Sequence, residues 1–307
     1  MRQKNRGRDI DGFLLLDKPL HLSSNAALQR VKNIYFAKKA GHTGSLDPLA
    51  TGMLPICFGE ATKFSQFLLD ANKSYRVTAQ LGIKSTTCDN EGEIILTRDA
   101  STIDLPIVEK TLEKFRGEQK QIPSMFSAIK FQGKPLYELA RKGIEIEREA
   151  RDITIYELVL ENFDNEKKLF TLFVKCSKGT YIRNLVDDIG EALGCGAVVS
   201  ELRRTNVADF IESEMIPLTQ LDKLRDEKEF QKLDDYILPL ETLANALPII
   251  SVTEAAAFQL QQGRAISCLN STVKKGYVSI NIQGKNFIGI AEITPEGELQ
   301  PRRMINR

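Results

Sequence analysis

Lys73-Ser74-Tyr75-Arg76-Val77-Thr78-Ala79-Gln80-Leu81 alternates strictly, with Tyr75, Val77, Ala79 and Leu81 on one face and Arg76, Thr78 and Gln80 on the other. A period of two belongs to a strand with one buried face, so this stretch predicts a strand that aims Tyr75 inward, at the core or at a cleft. Upstream, residues 12–16 read as a short buried strand, Ser23 or Ser24 caps a helix carrying Leu28, Val31 and Tyr35 on one face, and Phe64, Phe67 and Leu68 set a helix over residues 60–69. Downstream, strands are expected at residues 93–96, 153–163 and 169–177, and helices near 107–115 and 135–142. The regular alternation of strand and helix that builds a doubly wound parallel sheet is absent, and no internal repeat is visible. The pattern is α+β, with a mixed or antiparallel sheet.

Before that strand lies Gly41-His42-Thr43-Gly44-Ser45-Leu46-Asp47-Pro48-Leu49-Ala50-Thr51-Gly52, with three glycines and a single carboxylate. Glycines supply backbone shapes closed to other residues and Pro48 biases Asp47 away from the helical region, so an ordered loop presenting one acid is expected. The plainer alternative is a surface turn capped by Asp47. After the turn at Lys178-Gly179, Ile182, Leu185, Ile189 and Leu193 mark a helix ending at Gly194, with Arg183 in its first turn. A cation there opposes the helix dipole and calls for a compensating anion, for which Asp47 is a candidate.

The 307 residues suffice for one large domain and a small one, and 42% hydrophobic with 27% charged content is ordinary for a globular chain. No apolar run approaches a membrane span, and Phe13-Leu14-Leu15-Leu16, cut off by Asp17-Lys18, is too short for a signal peptide, so a cytoplasmic protein is expected. Five scattered cysteines without CxxC spacing indicate neither a disulfide framework nor a zinc site. A histidine metal centre or a Ser-His-Asp triad would have to use His21 or His42, the two histidines present, and no metal is expected.

Net charge is +1, but basic residues cluster: Arg2, Lys4, Arg6 and Arg8 in a tail over residues 1–10, then Lys38-Lys39, Arg203-Arg204 and Arg302-Arg303. Each cluster is either a phosphate contact or solvated surface. The acidic stretch 222–235 would face away from nucleic acid, and residues 222–246 read as a helical lead-out from a main domain spanning 11–245. Beyond it, a helix from 252 to 262 and strands at 277–282 and 287–293 around Gly284-Lys285 form a small β-rich module over 246–307, marginal alone and expected to pack on the main domain.

Several of these stretches together resemble the bacterial TruB-type tRNA pseudouridine synthases. The likeness is carried by Asp17-Lys18-Pro19 with Ser23-Ser24-Asn25, the segment from Gly41 to Gly52, Gly59-Glu60-Ala61-Thr62-Lys63, Tyr75-Arg76-Val77, Ile122-Pro123-Ser124-Met125, Ser177-Lys178-Gly179-Thr180-Tyr181-Ile182-Arg183, and Gly194-Cys195-Gly196 leading to Leu202-Arg203-Arg204. These motifs cover about the first 210 residues, and the last sixty or so resemble, more weakly, the PUA-like RNA-binding module of this family. One departure is His21, where the family usually has glycine; a β-carbon there costs about 1 kcal/mol in the same backbone shape, or the turn changes type.

The resemblance implies isomerisation of uridine 55 in the T-loop of tRNA, by a monomer, without cofactor or metal. Uracil is detached from C1′, rotated and rejoined through C5, chemistry that suits one carboxylate. Asp47 would attack C1′ or take a proton from C2′, with Arg183 as its counter-charge. Tyr75 would stack on the flipped base and accept or relay the C5 proton, while His42 would fill the space the displaced bases leave. Tyr181 and Lys18 would line the site, Lys18 in a structural capacity, and Arg203, Arg204 and the basic tail would contact phosphates. Two other classes compete with this reading: a non-catalytic RNA-binding or RNA-folding protein on the same scaffold, and a phosphate-loop enzyme, for which GxxxxGK[ST] and an acid cluster are missing.

Overall fold

Lys73–Leu81 is a strand with the bounds its alternation predicts, and Tyr75, Val77, Ala79 and Leu81 are buried. The structure, a computed structural model, describes residues 7–268, 275–282 and 287–305; Arg2, Lys4, Arg6 and the Gly284-Lys285 turn lie outside the described residues. A nine-stranded sheet is formed, in chain order, by β1 (Gly12–Lys18), β2 (Ala40–His42), β3 (Ala50–Phe58), β4 (Lys73–Leu81), β5 (Gly117–Gln121), β6 (Arg151–Asp164), β7 (Leu169–Cys176), β8 (Ala197–Val207) and β9 (Ile216–Pro217). The spatial order is β9-β1-β3-β8-β4-β7-β6-β5, with β2 on β3 off that path. β8 pairs parallel with β3 and antiparallel with β4, so the sheet is mixed, as the α+β reading expected.

Helices α1 (Ser24–Ile34), α2 (Ser65–Asp70), α3 (Leu105–Leu112), α4 (Leu136–Ala140), α5 (Ile182–Ala192), α6 (Leu218–Asp226), α7 (Phe230–Asp234) and α8 (Glu254–Gln261) connect and cover the strands. Ser23 caps α1, its side chain accepting from the Ala26 amide at 3.2 Å. The apolar run in β1 is explained by burial on both faces: Leu14 and Leu16 join a core cluster with Val31, Val77 and Leu185, while Phe13 and Leu15 join another with Met53, Phe64 and Phe287. Acidic residues of α6 and α7 are taken up by basic partners: the largely buried Asp222 pairs with Arg30 at 2.6 Å, and the partly exposed Asp234 pairs with Arg8.

A second, five-stranded sheet comprises β10 (Ile249–Val252), β11 (Ile266–Ser267), β12 (Gly276–Ile282), β13 (Phe287–Ile293) and β14 (Glu298–Met304), ordered β10-β12-β13-β14-β11. Thr253 caps α8 beside it. This sheet packs on the first through Phe287, Ile290 and Ile305, which share a cluster with Phe64 and Met53; the Phe64 and Phe287 ring centroids are 5.8 Å apart.

Two expectations change. The segment from Gly41 to Gly52 is only partly loop, since its ends belong to β2 and β3, and residues 43–49 carry Asp47 between them. Residues 60–69 are not one helix: a 3-10 helix over Gly59–Phe64 precedes α2.

Candidate active site

The loop 43–49 is held from several sides. Ser24 Oγ accepts the Leu46 amide at 2.7 Å and donates to the Leu46 carbonyl at 2.9 Å. The His21 amide donates to the Pro48 carbonyl at 2.8 Å, so the neighbours of Asp47 are tied to the first residue of α1 and to the turn that precedes it. His21 sits at φ 62°, in the left-handed region that glycine adopts freely and a residue with a β-carbon adopts at a cost. Lys18 is buried and its Nζ donates to the Pro19 and Leu22 carbonyls, each at 2.7 Å, bracing that turn from within.

Asp47 projects to the mouth of a cavity of about 380 Å³ lined by Tyr75, Lys73, Tyr181, Arg183 and Arg204. Arg183 Nε lies 2.9 Å from Asp47 Oδ2, the pairing anticipated from the cation in the first turn of α5. The rest of the guanidinium is also engaged: Nη1 donates to Asp89 Oδ2 at 3.1 Å and to the Thr87 carbonyl at 3.0 Å, and Nη2 to the Phe126 carbonyl at 2.9 Å. Asp89 itself accepts from the Glu91 amide and the Thr87 hydroxyl. Burial raises the Asp47 pKa above the ordinary carboxylate value and the Asp89 charge adds to the rise, while Arg183 and Lys18 pull it back. The side chain is still 41% exposed, so this burial is that of a recessed group in an open cleft.

Tyr75, on the inward face of β4, has its hydroxyl pushed up to about 12 by burial, with the Arg204 charge opposing. Tyr181 is the residue before α5, and Gln121 clamps its backbone: the Tyr181 amide donates to Gln121 Oε1 at 2.8 Å and Gln121 Nε2 donates to the Tyr181 carbonyl at 3.0 Å. Burial raises the Tyr181 hydroxyl as well.

Five expected positions land differently. Arg204 is no phosphate contact: it is buried, with Nε donating to the Met53 carbonyl at 2.7 Å and Nη2 to the Gly44 carbonyl at 3.1 Å, so it props the loop that carries Asp47. Its backbone presses on Gly52, where an added β-carbon would sit 2.2 Å from the Arg204 oxygen and φ is 97°, so only glycine fits. Arg203 points to the other side of β8 and is committed to Asp17 at 2.8 Å and to Glu212 at 2.5 Å. Lys18 stands beneath the turn and not in the cavity lining; burial lowers its pKa to about 8 against the attraction of Asp47. His42 also lies outside that lining, half-buried on β2, with Nδ1 unpartnered and its pKa lowered by burial and by Arg204. Arg8, counted in the basic tail, is taken by Asp234.

Residues the sequence did not single out also build the site. Lys73 closes the C-terminal end of α2 with Nζ bonds to the Leu68, Leu69 and Ala71 carbonyls at 3.2, 3.0 and 2.7 Å, and burial brings its pKa to about 8. Asp89, Gln121 and Ser24 act through contacts with distant segments; of these only Ser24 stood in a motif, and there as a helix cap. Among the described residues no group of three His, Cys, Asp or Glu side chains is placed to hold a metal, and no helix is long and apolar enough to cross a membrane.

Comparison with known proteins agrees with this layout. Residues 32–182 match the TruB family pseudouridylate synthase N-terminal domain, 183–245 the tRNA pseudouridylate synthase B C-terminal domain, and 248–305 the pseudouridine synthase II TruB C-terminal domain. A protein of Coxiella burnetii strain RSA 493 named tRNA pseudouridine synthase B is 53% identical over 300 residues, covering 98% of this chain and 96% of its own. A Vibrio parahaemolyticus protein of the same name is 49% identical over 312 residues, covering 99% and 98%. Among solved structures, one of a Cbf5-Nop10-Gar1 complex superposes with a TM-score of 0.71 at 27% identity, covering 93% of this chain and 79% of that one. Another, of an H/ACA RNP bound to a substrate RNA containing 2′-deoxyuridine, reaches 0.73 at 22% identity over 100% and 92%, a likeness of fold. With half its residues shared over nearly its whole length with proteins of that name, the chain belongs to the TruB family of pseudouridylate synthases.

Proposed function

We propose that the chain converts uridine 55 in the T-loop of tRNA to pseudouridine, with Asp47 as the catalytic carboxylate. The observation that carries this reading is the Asp47–Arg183 pair at the mouth of a cavity backed by Tyr75, together with the names of the relatives. A volume of about 380 Å³ suits one flipped nucleoside.

The N1–C1′ bond breaks as Asp47 attacks C1′ or takes the C2′ proton, and either course needs the ionised carboxylate that Arg183 favours. The detached uracil turns in the cavity, C5 bonds to C1′, and the C5 proton is lost as the ring regains its conjugation. Asp47, released by then, is the one carboxylate among the described residues lining the cavity and the natural acceptor. A Tyr75 phenol held neutral suits stacking on the base better than proton abstraction. His42, kept neutral and partly exposed on β2, suits insertion among displaced bases. In this reading a cytoplasmic monomer recognises the T stem-loop, the small β-rich module spans 246–307, and no cofactor or metal takes part.

The test is Asp47→Asn with tRNA carrying tritium at uridine C5. Tritium release should vanish while tRNA affinity stays within about tenfold of the parent. Persistent release, or loss of release and affinity together, would overturn the assignment.

A further inference from the structure

A second cavity, of about 450 Å³, is bounded by residues 123–126, just before the stretch 127–129 that lines the catalytic cleft. Pro123, Met125, Phe126 and Ile144 make its walls largely apolar. Two of its polar groups are unsatisfied. Arg148 Nε and Nη1 are buried without a hydrogen-bond partner, and so is Asn184 Oδ1. The acid nearest Arg148 is Glu145, 3.8 Å from Nη2 and 84% exposed, too far for a hydrogen bond. Asn184 Nδ2 is used on the Ile122 carbonyl at 2.9 Å, which leaves the Oδ1 acceptor as the group on offer. Buried polar groups in folded proteins are almost always partnered, and although the Arg148 side chain is 22% exposed, leaving its buried Nε and Nη1 without acceptors is costly.

One wall therefore offers cationic donors and another a neutral acceptor, with apolar surface between them. That is the complement of a nucleotide: an anionic phosphate, a flat base and an N–H donor on the base edge. We propose that this cavity is a second ligand site, taking one nucleotide with its phosphate on Arg148 and a base N–H on Asn184. It is separate from the cleft proposed for isomerisation but abuts the groups that hold Arg183. Asn184 follows Arg183 in α5, Phe126 contributes a carbonyl to Arg183, and Cys88, lining the cavity, stands between Thr87 and Asp89. An occupant would stiffen the mounting of the catalytic arginine.

The nucleotide can be free or part of bound RNA, and calorimetry on the full chain separates the two. The probe is cytidine monophosphate, whose exocyclic amine suits Asn184, with inorganic phosphate as the phosphate-only control. Arg148→Gln should weaken cytidine monophosphate binding by about tenfold or more, whereas Asp47→Asn should not. Ile144→Trp, which fills the cavity from a half-exposed position, should block the same binding, so a folding defect in one variant does not decide the matter. A saturating T stem-loop RNA will leave this binding intact if the occupant is a free nucleotide, and displace it if the RNA supplies the nucleotide. Cytidine monophosphate and RNA binding that are both indifferent to Arg148→Gln and Ile144→Trp would overturn the proposal. No arm reads pseudouridine formation, so failure here is distinguishable from failure of the proposed function.

Discussion

Arg183 divides its guanidinium between Asp47 and Asp89, Nε lying 2.9 Å from the first and Nη1 3.1 Å from the second. The two acids stand in different surroundings, Asp47 being 41% exposed at the cleft and Asp89 only 4%. Asp89 is thus a fixed counter-charge that keeps Arg183 in place, while the more exposed Asp47 is free to change partners in the reaction proposed above.

Asp89→Asn should therefore act on chemistry more than on binding. Letting Arg183 shift by about an ångström is expected to lower the single-turnover rate roughly 100-fold. The pH dependence gives an independent check, because the Asp89 charge helps to raise the Asp47 pKa. In the proposed mechanism activity requires ionised Asp47 and fades as pH falls through its pKa, so removing that charge should move the acid limb of kcat/KM to lower pH. A limb that moves upward, or an unchanged single-turnover rate, would contradict this account of Asp89.

Ser24→Ala strips the Leu46 amide and carbonyl of their shared partner next to Asp47. Leaving those groups unpaired should cost about 1–3 kcal/mol of stability in urea unfolding. Because the loop carrying Asp47 loses its tie to α1, kcat should fall about tenfold or more while KM for tRNA changes little. An effect confined to KM would show that Ser24 shapes RNA binding and not the placement of Asp47.

Burial lowers the Lys73 pKa to about 8 from 10.5, so between those values the unfolded chain binds more protons than the folded one. Stability drawn from this group accordingly rises with pH across the window from 8 to 10.5 and is flat below it. The unfolding free energy of the parent minus that of Lys73→Met should increase by about 1–2 kcal/mol from pH 7.5 to 9.5 in urea titrations. A difference that stays level or shrinks would mean that Lys73 keeps its proton within the fold.

At His21 the prediction runs toward gain. The residue is exposed at φ 62°, a shape glycine adopts freely, so His21→Gly should raise stability by about 0.5–1 kcal/mol by thermal melting. The His21 amide survives the change, so the bond to Pro48 and the catalytic rate should be retained. A drop in stability would mean that the imidazole makes contacts worth more than the strain.

What could be read from the chain depended on whether a segment's pattern was local. The alternation of residues 73–81 and the spacing along α5 are set by one buried face each, and both elements appeared where expected. β3 and β8 went unnoticed although both lie inside the sheet. β3 contains Gly52 and Pro55 and is buried on both faces, which erases the period; β8 carries two register shifts that break its alternation. The same cause misassigned Arg203 and Arg204, whose adjacent charges look like a surface patch until β8 places one in the core and the other between Asp17 and Glu212. Asp47, Arg183 and Tyr75 were legible through their motifs, whereas Asp89 and Gln121 acquire their tasks only when remote segments meet.

The position of β8 also bears on how the protein is born. It is among the last strands of its sheet to be synthesised, yet it is wedged between β3 and β4, made more than a hundred residues earlier, and it delivers Arg204 to the loop that carries Asp47. While the chain is still on the ribosome, those two earlier strands have a gap where their shared neighbour belongs, and non-local pairing of this kind closes slowly. A nascent chain with Asp47 and Tyr75 already exposed would thus have no finished cleft, and RNA close to the site of translation would meet a working enzyme only after nearly the whole catalytic sheet had been made.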